Sequence, residues 1–233
     1  MNSELILTEP GEGFYEEKKS RFLALALPVR NEEEAAAALI ARRKLHPDAR
    51  HHCYAYLCGP HHELTRSSDD GEPSGTGGRP ILEALLGSGL HNAMVIVTRY
   101  FGGTLLGTGG LSRAYSAAAV EALQQAGRAL LFYGNLWQIV LSYSDFAKLE
   151  RLLDGMDLAR GQTLFEADIS QEVYLQPEEE EAFFQALADA TSGEAVSEKI
   201  KAVRYLRDGK TARPAEDGSN TDNPVQNPAE ITL

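Results

Sequence analysis

The first half of the chain alternates between strand patterns and helical patterns. The segment SRFLALALPV, from Ser20, has the period-two alternation of a half-buried strand, and the NEEEAAAALIARRKLHP that follows has the pattern of a helix. Asn31 is placed to cap that helix and Pro47 to end it. Further along, RHHCYAYLCG, HELTRSSDD and NAMVIVTRYF indicate strands, and PILEALLGSG and LSRAYSAAAVEALQQAG indicate helices. These patterns predict a domain that mixes sheet and helix.

A second series of elements begins near Tyr133 and Gly134. Its segments LWQIVLSYS, DFAKLERLLDGM, ARGQTLFEADISQEVYLQ, PEEEEAFFQALADATSG and SEKIKAVRYL indicate the order β-α-β-β-α-β. This is the order of a ferredoxin-like split arrangement. We therefore predict an α+β protein with one domain over residues 1–133 and a ferredoxin-like domain over residues 134–206.

The last segment, residues 207–233, has almost no large apolar side chains until its end. Such a segment cannot bury enough apolar surface to offset the entropy of ordering the chain. The sequence therefore predicts a disordered tail.

Charge is distributed unevenly among these segments. The formal net charge of −12 divides into −2 for residues 1–133, −8 for residues 134–206 and −2 for residues 207–233. The nearly neutral first segment can still present a basic face, because local potential governs contact with an anion. No apolar run reaches the roughly 20 residues of a membrane span, and the N-terminus lacks a secretory pattern. We expect a cytoplasmic protein in which Cys53 and Cys58 remain inert thiols.

Two glycine-rich loops each come immediately before a helix. Loop one is SSDDGEPSGTGGR, before Pro80, and loop two is GGTLLGTGG, from Gly102. Free backbone N–H groups and the dipole of a helix N-terminus favour an anion, and glycine lets the backbone approach it closely. Side chains near these loops that can add hydrogen bonds or positive charge are Ser74, Thr76, Arg79, Arg99, Thr104, Thr108 and Arg113. The two loops are predicted to form halves of one anion site.

Other interpretations of the loops remain open from the residues alone. Loop two has the outer spacing of a nucleotide-binding loop, but Thr108 stands where the phosphate lysine belongs, so no nucleotide cofactor is expected. Asp69, Asp70 and Glu72 are oxygen ligands that could hold Mg²⁺ in a phosphohydrolase. The same acids could instead pair with arginines in a loop that needs glycine only for its turns.

Four histidines and two cysteines occur in the stretch HHCYAYLCGPHH. Strand alternation sends His51 and Cys53 to one side of the sheet and His52 and Cys58 to the other, so these potential ligands diverge. The spacing also lacks the paired cysteines of a zinc site. No metal site and no catalytic residue is assigned.

Arg99 lies near the end of the strand MVIVTRY. Alternation places it on the same side as Val95 and Val97, the side that we expect the helices to bury. A buried arginine needs an acidic partner, for which Asp70 and Glu72 are the candidates.

Four long blocks of the sequence resemble the signature blocks of the IMPACT family in its bacterial form. They are EKKSRF from Glu17, HHCYAY from His51, SDDGEPSGTGGRPIL from Ser68 and VTRYFGGTLLGTGGLSRAY from Val97. The resemblance implies an N-terminal domain like the second domain of ribosomal protein S5. It also implies a C-terminal domain like the last domain of elongation factor G, and a translation-associated protein that contacts RNA, the ribosome or translation factors.

The expected ligand- or RNA-binding residues come from these blocks and from Arg113. They are Lys19, Ser20, Arg21, Asp69, Asp70, Glu72, Ser74, Thr76, Arg79, Arg99, Tyr100, Phe101, Gly102, Gly103 and Arg113. A binding or regulatory role is expected in preference to an enzymatic one, without a cofactor and without a membrane partner.

Overall fold

The computed structural model describes residues 3–215, which divide into two compact units. The first unit is Ser3–Leu130, and the second begins at Leu131. Both units contain strands and helices, which confirms the predicted α+β class.

An antiparallel sheet of five strands forms the centre of the first unit. Its strands are β2 (Gly11–Glu17), β3 (Ser20–Pro28), β4 (His51–Cys58), β5 (Leu64–Ser68) and β7 (Ala93–Tyr100). Their order across the sheet is β2-β3-β7-β4-β5. Leu23 pairs with Thr98, which pairs on its other side with His52. Two further strands, β1 (Ser3–Glu9) and β6 (Leu90–His91), pair in parallel.

Helices cover both faces of the five-stranded sheet. They are α1 (Glu32–Leu45), α2 (Gly78–Gly87) and α3 (Gly107–Gln125). Val95 and Val97 share a core with α2 and α3, whereas Met94 and Ile96 pack with α1. Since neighbouring residues of a strand point to opposite sides, the sheet has an α1 face and an α2–α3 face.

The helix starts agree with the sequence at α1 and differ from it at α2 and α3. Asn31 Oδ1 accepts the Glu34 backbone N–H at 2.8 Å, as expected for the cap of α1. The other two helices begin at Gly78 and Gly107, before the predicted starts at Pro80 and Leu111. Their first N–H groups need no intrahelical partner, so glycine is tolerated there. No helix among residues 3–215 has both the length and the apolar composition that crossing a membrane requires.

Strand β2 lies directly against α3 through glycine. A Cβ atom on Gly13 would stand 2.4 Å from the Ala118 carbonyl oxygen and 2.5 Å from the Ala122 nitrogen. These are backbone atoms, so they cannot rotate away from a larger side chain. Glycine on the strand and alanine on the helix together allow the two backbones to approach each other.

The second unit contains a β-α-β-β-α-β series. It consists of β8 (Gly127–Leu141), which starts in the first unit, then α4 (Tyr143–Gly155), β9 (Ala159–Phe165), β10 (Ile169–Leu175), α5 (Pro177–Thr191) and β11 (Val196–Asp208). Its four strands pair antiparallel in the order β9-β10-β8-β11. Ile139, Leu149, Val173 and Phe183 belong to the core between strands and helices.

The prediction of a disordered tail from Arg207 is wrong for its first residues. Arg207 lies in β11 and pairs with Ala212 of a further strand, β12 (Thr211–Pro214). The Arg207 guanidinium also donates to Asp157 Oδ1 at 2.6 Å. A tight hairpin forms through local backbone pairing and turn residues, which a search for large apolar side chains misses. The rest of the predicted tail, residues 216–233, lies outside the described residues.

We expect Gly13→Ala to lower the free energy of unfolding by about 3 kcal/mol, because the added methyl group collides with the backbone of α3. Gly87→Ala is the matched control, since Gly87 also lies in a regular element and a Cβ there meets no atom within 4 Å. Urea denaturation measures both variants. Equal stability of Gly13→Ala and the wild type would contradict the close packing of β2 on α3.

Candidate ligand-binding site at the two glycine loops

Asp69 holds loop one together from inside. Its carboxylate accepts the backbone N–H groups of Gly75, Gly77 and Gly78 at 2.8, 2.9 and 2.8 Å. Burial opposes ionisation, but the three donors together lower the pKa of Asp69 below its ordinary value. The amide groups at the start of α2 therefore face a carboxylate of the protein itself, and the expectation that they are free for an external phosphate is wrong.

The other two acids of loop one point to different partners. Asp70 pairs with Arg43 Nη2 at 2.6 Å and accepts the His52 backbone N–H at 2.7 Å. Glu72 bonds to Arg99 and Tyr115. Among residues 3–215, no three His, Cys, Asp or Glu side chains are grouped so that they could hold a metal ion. The three carboxylates considered as possible Mg²⁺ ligands thus do not converge, because each binds a separate partner.

A buried ion pair connects loop one to the end of β7 on the α2–α3 face. Arg99 Nη1 and Glu72 Oε1 are 2.6 Å apart, and their side chains are only 7% and 3% exposed. The Tyr115 hydroxyl donates to the same carboxylate oxygen at 2.8 Å. The predicted requirement of Arg99 for an acidic partner is confirmed, and the partner is Glu72.

Aromatic rings enclose the Arg99 guanidinium. Its central carbon lies 5.5 Å from the centre of the Phe22 ring and 5.6 Å from that of Phe101, within the range of cation–π attraction. Nearby, burial raises the pKa of Cys53 to about 12, so this thiol stays protonated at neutral pH. Its Sγ donates to the Asp69 carbonyl oxygen at 3.0 Å, and it serves packing as predicted.

Loop two leads into a helix start that has no side-chain cap. Leu106 occupies the cap position and makes no capping hydrogen bond, and no acidic residue lies in the first turn of α3. Gly107, Thr108 and Gly109 are exposed there. A Cβ on Gly109 would lie 3.5 Å from Arg113 Nη1, so the exposed Arg113 guanidinium stands beside this turn. These groups provide free N–H donors, a positive helix end and a cation in one place.

The turn between β2 and β3 lies against the start of loop two. Lys18 and Lys19 form this turn with positive φ angles of 49° and 65°. A Cβ on Gly102 would stand 2.1 Å from the Lys19 carbonyl carbon, so only glycine fits at this approach. The Gly102 backbone N–H donates to Ser20 Oγ at 3.1 Å. The predicted residues Lys19, Ser20 and Gly102 therefore come together, and Gly103 follows at the surface.

Apolar side chains are exposed around loop two. Phe101 is 51% exposed and Leu105 is 82% exposed. An exposed aromatic ring beside cationic groups offers a surface on which a nucleic acid base can stack. We name the exposed surface formed by Lys19, Phe101, loop two, the first turn of α3 and Arg113 the loop-two surface.

The other predicted residues lie apart from the loop-two surface or are engaged elsewhere. Arg21 and Tyr100 are on the α1 face, where the Arg21 guanidinium lies 5.1 Å from the centre of the Tyr100 ring. Strand alternation explains this, because Tyr100 follows Arg99 directly. Thr76 Oγ1 donates to the Pro73 carbonyl oxygen within loop one. Ser74 is exposed, and the exposed Arg79 pairs with Glu83 at 2.9 Å.

Tyr115 is the member of this arrangement to which the sequence assigned no role. It is fully buried in α3, in line with Leu111 and Ala118. Burial raises its pKa above the ordinary value, so the hydroxyl remains a donor to Glu72. The apolar stripe of α3 indicated a buried position for Tyr115, whereas its acceptor lies 43 residues away and gave no local signal.

We expect Arg99→Gln to destabilise the first unit by on the order of 3 kcal/mol or more, because Glu72 would remain buried without its counter-charge. Arg79→Gln is the control, since its pair with Glu83 is exposed and should contribute 0–1 kcal/mol, roughly. Thermal and urea unfolding measure both variants. The double variant Arg99→Gln/Glu72→Gln should recover part of the loss, and strict additivity of the two changes would contradict direct coupling.

Two family models match the chain. The Impact N-terminal domain matches residues 18–123, and a domain of unknown function, DUF1949, matches residues 139–194. The IMPACT family member YigZ of Escherichia coli is 45% identical over 127 residues, which are 54% of this chain and 62% of that protein. An IMPACT family member of Haemophilus influenzae is 34% identical over 202 residues, covering 85% of this chain and 98% of that protein.

A solved structure agrees with these matches. A crystal structure of a hypothetical protein, 35% identical, superposes with a TM-score of 0.57 over 86% of this chain and 98% of that chain. The four sequence blocks, the two domain matches and the nearly full-length relative from Haemophilus influenzae lead to one conclusion: this chain belongs to the IMPACT family.

Proposed function

We propose that this protein is a translation-associated binding protein that contacts RNA phosphate through the loop-two surface. The RNA is part of the ribosome or is bound by translation factors. Binding requires no cofactor and takes place in the cytoplasm. The protein acts by occupying or shaping an RNA surface, and no reaction is part of the proposal.

The contrast between two helix starts carries this proposal. The N–H groups of Gly77 and Gly78 at the start of α2 donate to Asp69, whereas the first turn of α3 has no capping side chain and no acidic residue. An uncapped helix start beside a cation is a favourable position for a phosphate oxygen. Exposed Arg113 supplies that cation, and the space beside Gly103 and Gly107 is open, because a Cβ there would meet no atom within 4 Å.

The neighbouring groups extend this surface beyond a single phosphate. Lys19 adds a second exposed cation at the β2–β3 turn, next to Gly102. Phe101 is held over the buried Arg99 and is half exposed, which suits stacking against an unpaired base. This combination favours single-stranded or looped RNA over a regular duplex, whose bases are already stacked.

We also propose which known domains the two domains of this protein resemble in fold. We propose that the first unit has the fold of the second domain of ribosomal protein S5. The antiparallel order β9-β10-β8-β11, with α4 and α5 in the connections, supports a ferredoxin-like second domain similar to the last domain of elongation factor G. The domain division proposed is residues 1–133 for the first domain and residues 134–206 for the second.

We expect Arg113→Gln to weaken binding of ribosomal RNA and to lower the slope of log affinity against log salt by about 1, since one phosphate contact is lost. Fluorescence anisotropy with labelled single-stranded RNA over a salt series measures both quantities. Arg151→Gln is the control: it removes the same charge from an exposed arginine of α4 and should leave the slope unchanged.

Phe101→Ala tests the stacking contact in the same assay. We expect a loss of about 1 kcal/mol in affinity for single-stranded RNA and a smaller loss for duplex RNA. Unfolding curves must be measured in parallel, because Phe101 also lies over Arg99. If neither RNA nor ribosomes bind at any salt concentration, or if Arg113→Gln and Arg151→Gln behave alike, the proposed function is wrong.

A further inference from the structure

The α1 face contains a buried cation without an acidic partner. Arg42, in the last turn of α1, is only 6% exposed. Its Nε donates to Thr98 Oγ1 at 3.2 Å and its Nη2 to the Leu23 carbonyl oxygen at 3.1 Å, and both acceptors are neutral. Among residues 3–215, Arg42 has no carboxylate within ion-pair distance, in contrast to Arg99 with its partner Glu72. A buried charge without a counter-charge is costly, so this position needs an explanation.

One nitrogen atom of this cation is available to a ligand. Arg42 Nη1 has no acceptor in the described part of the chain, and it is not sealed from solvent. His46, one helical turn after Arg42, bonds through Nδ1 to the Tyr100 hydroxyl at 2.9 Å, and its Nε2 is enclosed without a partner. His46 Nε2 is therefore closed to an external ligand, and His46 lies beside the cation without binding the anion itself.

Further positive charge surrounds these atoms. Arg21 is exposed over the Tyr100 ring and lies two residues before Leu23, so both residues are on the α1 face. Arg43 is half exposed and pairs with Asp70. The Asp70 carboxylate also accepts the His52 backbone N–H, so its charge is already engaged. Burial lowers the pKa of Arg42, and Glu12 opposes this change from a distance without forming an ion pair with it.

We propose that the α1 face binds a single phosphate group, with Arg42 as its main ligand and Arg21 as a second cation. The guanidinium of Arg42 is held in place by Thr98 and Leu23, which leaves Nη1 as the donor for an oxyanion. This site is separate from the loop-two surface, because Thr98 and Tyr100 lie on the α1 face, whereas Phe101 lies over Arg99 on the α2–α3 face. It goes beyond the proposed function, and its ligand is either free phosphate or a phosphate of bound RNA.

The histidines beside Arg42 provide a direct way to detect phosphate binding. Burial, Arg42 and His52 together lower the pKa of His46 to about 4, and burial lowers that of His52, whose Nδ1 bonds to Thr98 Oγ1 at 3.2 Å. Both rings are therefore neutral at neutral pH and sense a nearby anion without competing for it as cations. A phosphate bound at Arg42 changes the ring resonances of both histidines.

The experiment is an NMR titration of the histidine rings with inorganic phosphate at pH 7 and constant ionic strength, with chloride as the replaced ion. We expect saturable shifts of His46 and His52, and none of the exposed His61. Arg42→Gln should abolish the shifts, and Arg113→Gln should leave them unchanged. A second titration with short single-stranded RNA on the Arg113→Gln variant identifies the source: shifts with phosphate alone indicate free phosphate, and shifts with both indicate RNA phosphate.

Arg21→Gln keeps the test decisive if Arg42→Gln fails to fold, because Arg21 is exposed and its removal should not affect stability. We expect it to weaken phosphate binding about threefold, since the interaction of an exposed charge with an anion is screened by solvent. Absence of saturable His46 and His52 shifts in the wild type overturns the site, as do equal shifts in the wild type and Arg42→Gln. Loss of RNA binding through Arg113→Gln with retained phosphate shifts would separate the two sites.

Discussion

The buried ion pair between Arg99 and Glu72 is the interaction on which the arrangement of the glycine loops depends. It joins the end of β7 to loop one. Tyr115 of α3 donates a hydrogen bond to the same carboxylate oxygen, so α3 is held at this point as well. Because both charges are almost entirely removed from water, removing either one leaves the other buried without a counter-charge. Three separate segments of the chain are thereby fixed to one point on the α2–α3 face. The rings of Phe22 and Phe101 complete the enclosure of the guanidinium.

Two glycine loops with similar composition differ in what their helix starts face. In loop one the Asp69 carboxylate fills the position that an external phosphate would take, because a side chain attached to the same loop competes at a high effective concentration. Loop two contains no acid, so the start of α3 remains open beside Arg113. The choice between an internal anchor and a ligand site therefore depends on one acidic residue nearby, and glycine content alone does not distinguish them.

The strand block TRY divides its residues between two faces of one sheet. Thr98 and Tyr100 contact Arg42 and His46 on the α1 face, and Arg99 contacts Glu72 on the other. The two faces differ in the groups that contact the buried arginine. Arg99 has a carboxylate and aromatic rings around it, whereas Arg42 has only two neutral acceptors and no counter-charge. This difference is why the α1 face, and not the Arg99 cluster, is the stronger candidate for an additional anion.

The sequence by itself determined what depends on local periodicity. Alternation in MVIVTRY placed Arg99 beside Val95 and Val97, Asn31 marked the start of α1, and the second unit has the predicted order of strands and helices. Family membership also followed from sequence blocks alone. These features are set by neighbours in the chain, and pattern analysis detects such neighbours.

Only the tertiary structure decided which acid of loop one has which partner. Asp69, Asp70 and Glu72 lie within four positions, yet they bind loop amides, Arg43 and Arg99, respectively. Positive φ angles at Asp70 and Gly71 turn the chain between them and send neighbouring carboxylates in different directions. The partners come from α1 and β7, 27 residues away in each case, and their positions depend on how the sheet is assembled. Side-chain chemistry limits the possible pairs, but the backbone path through the folded sheet selects among them.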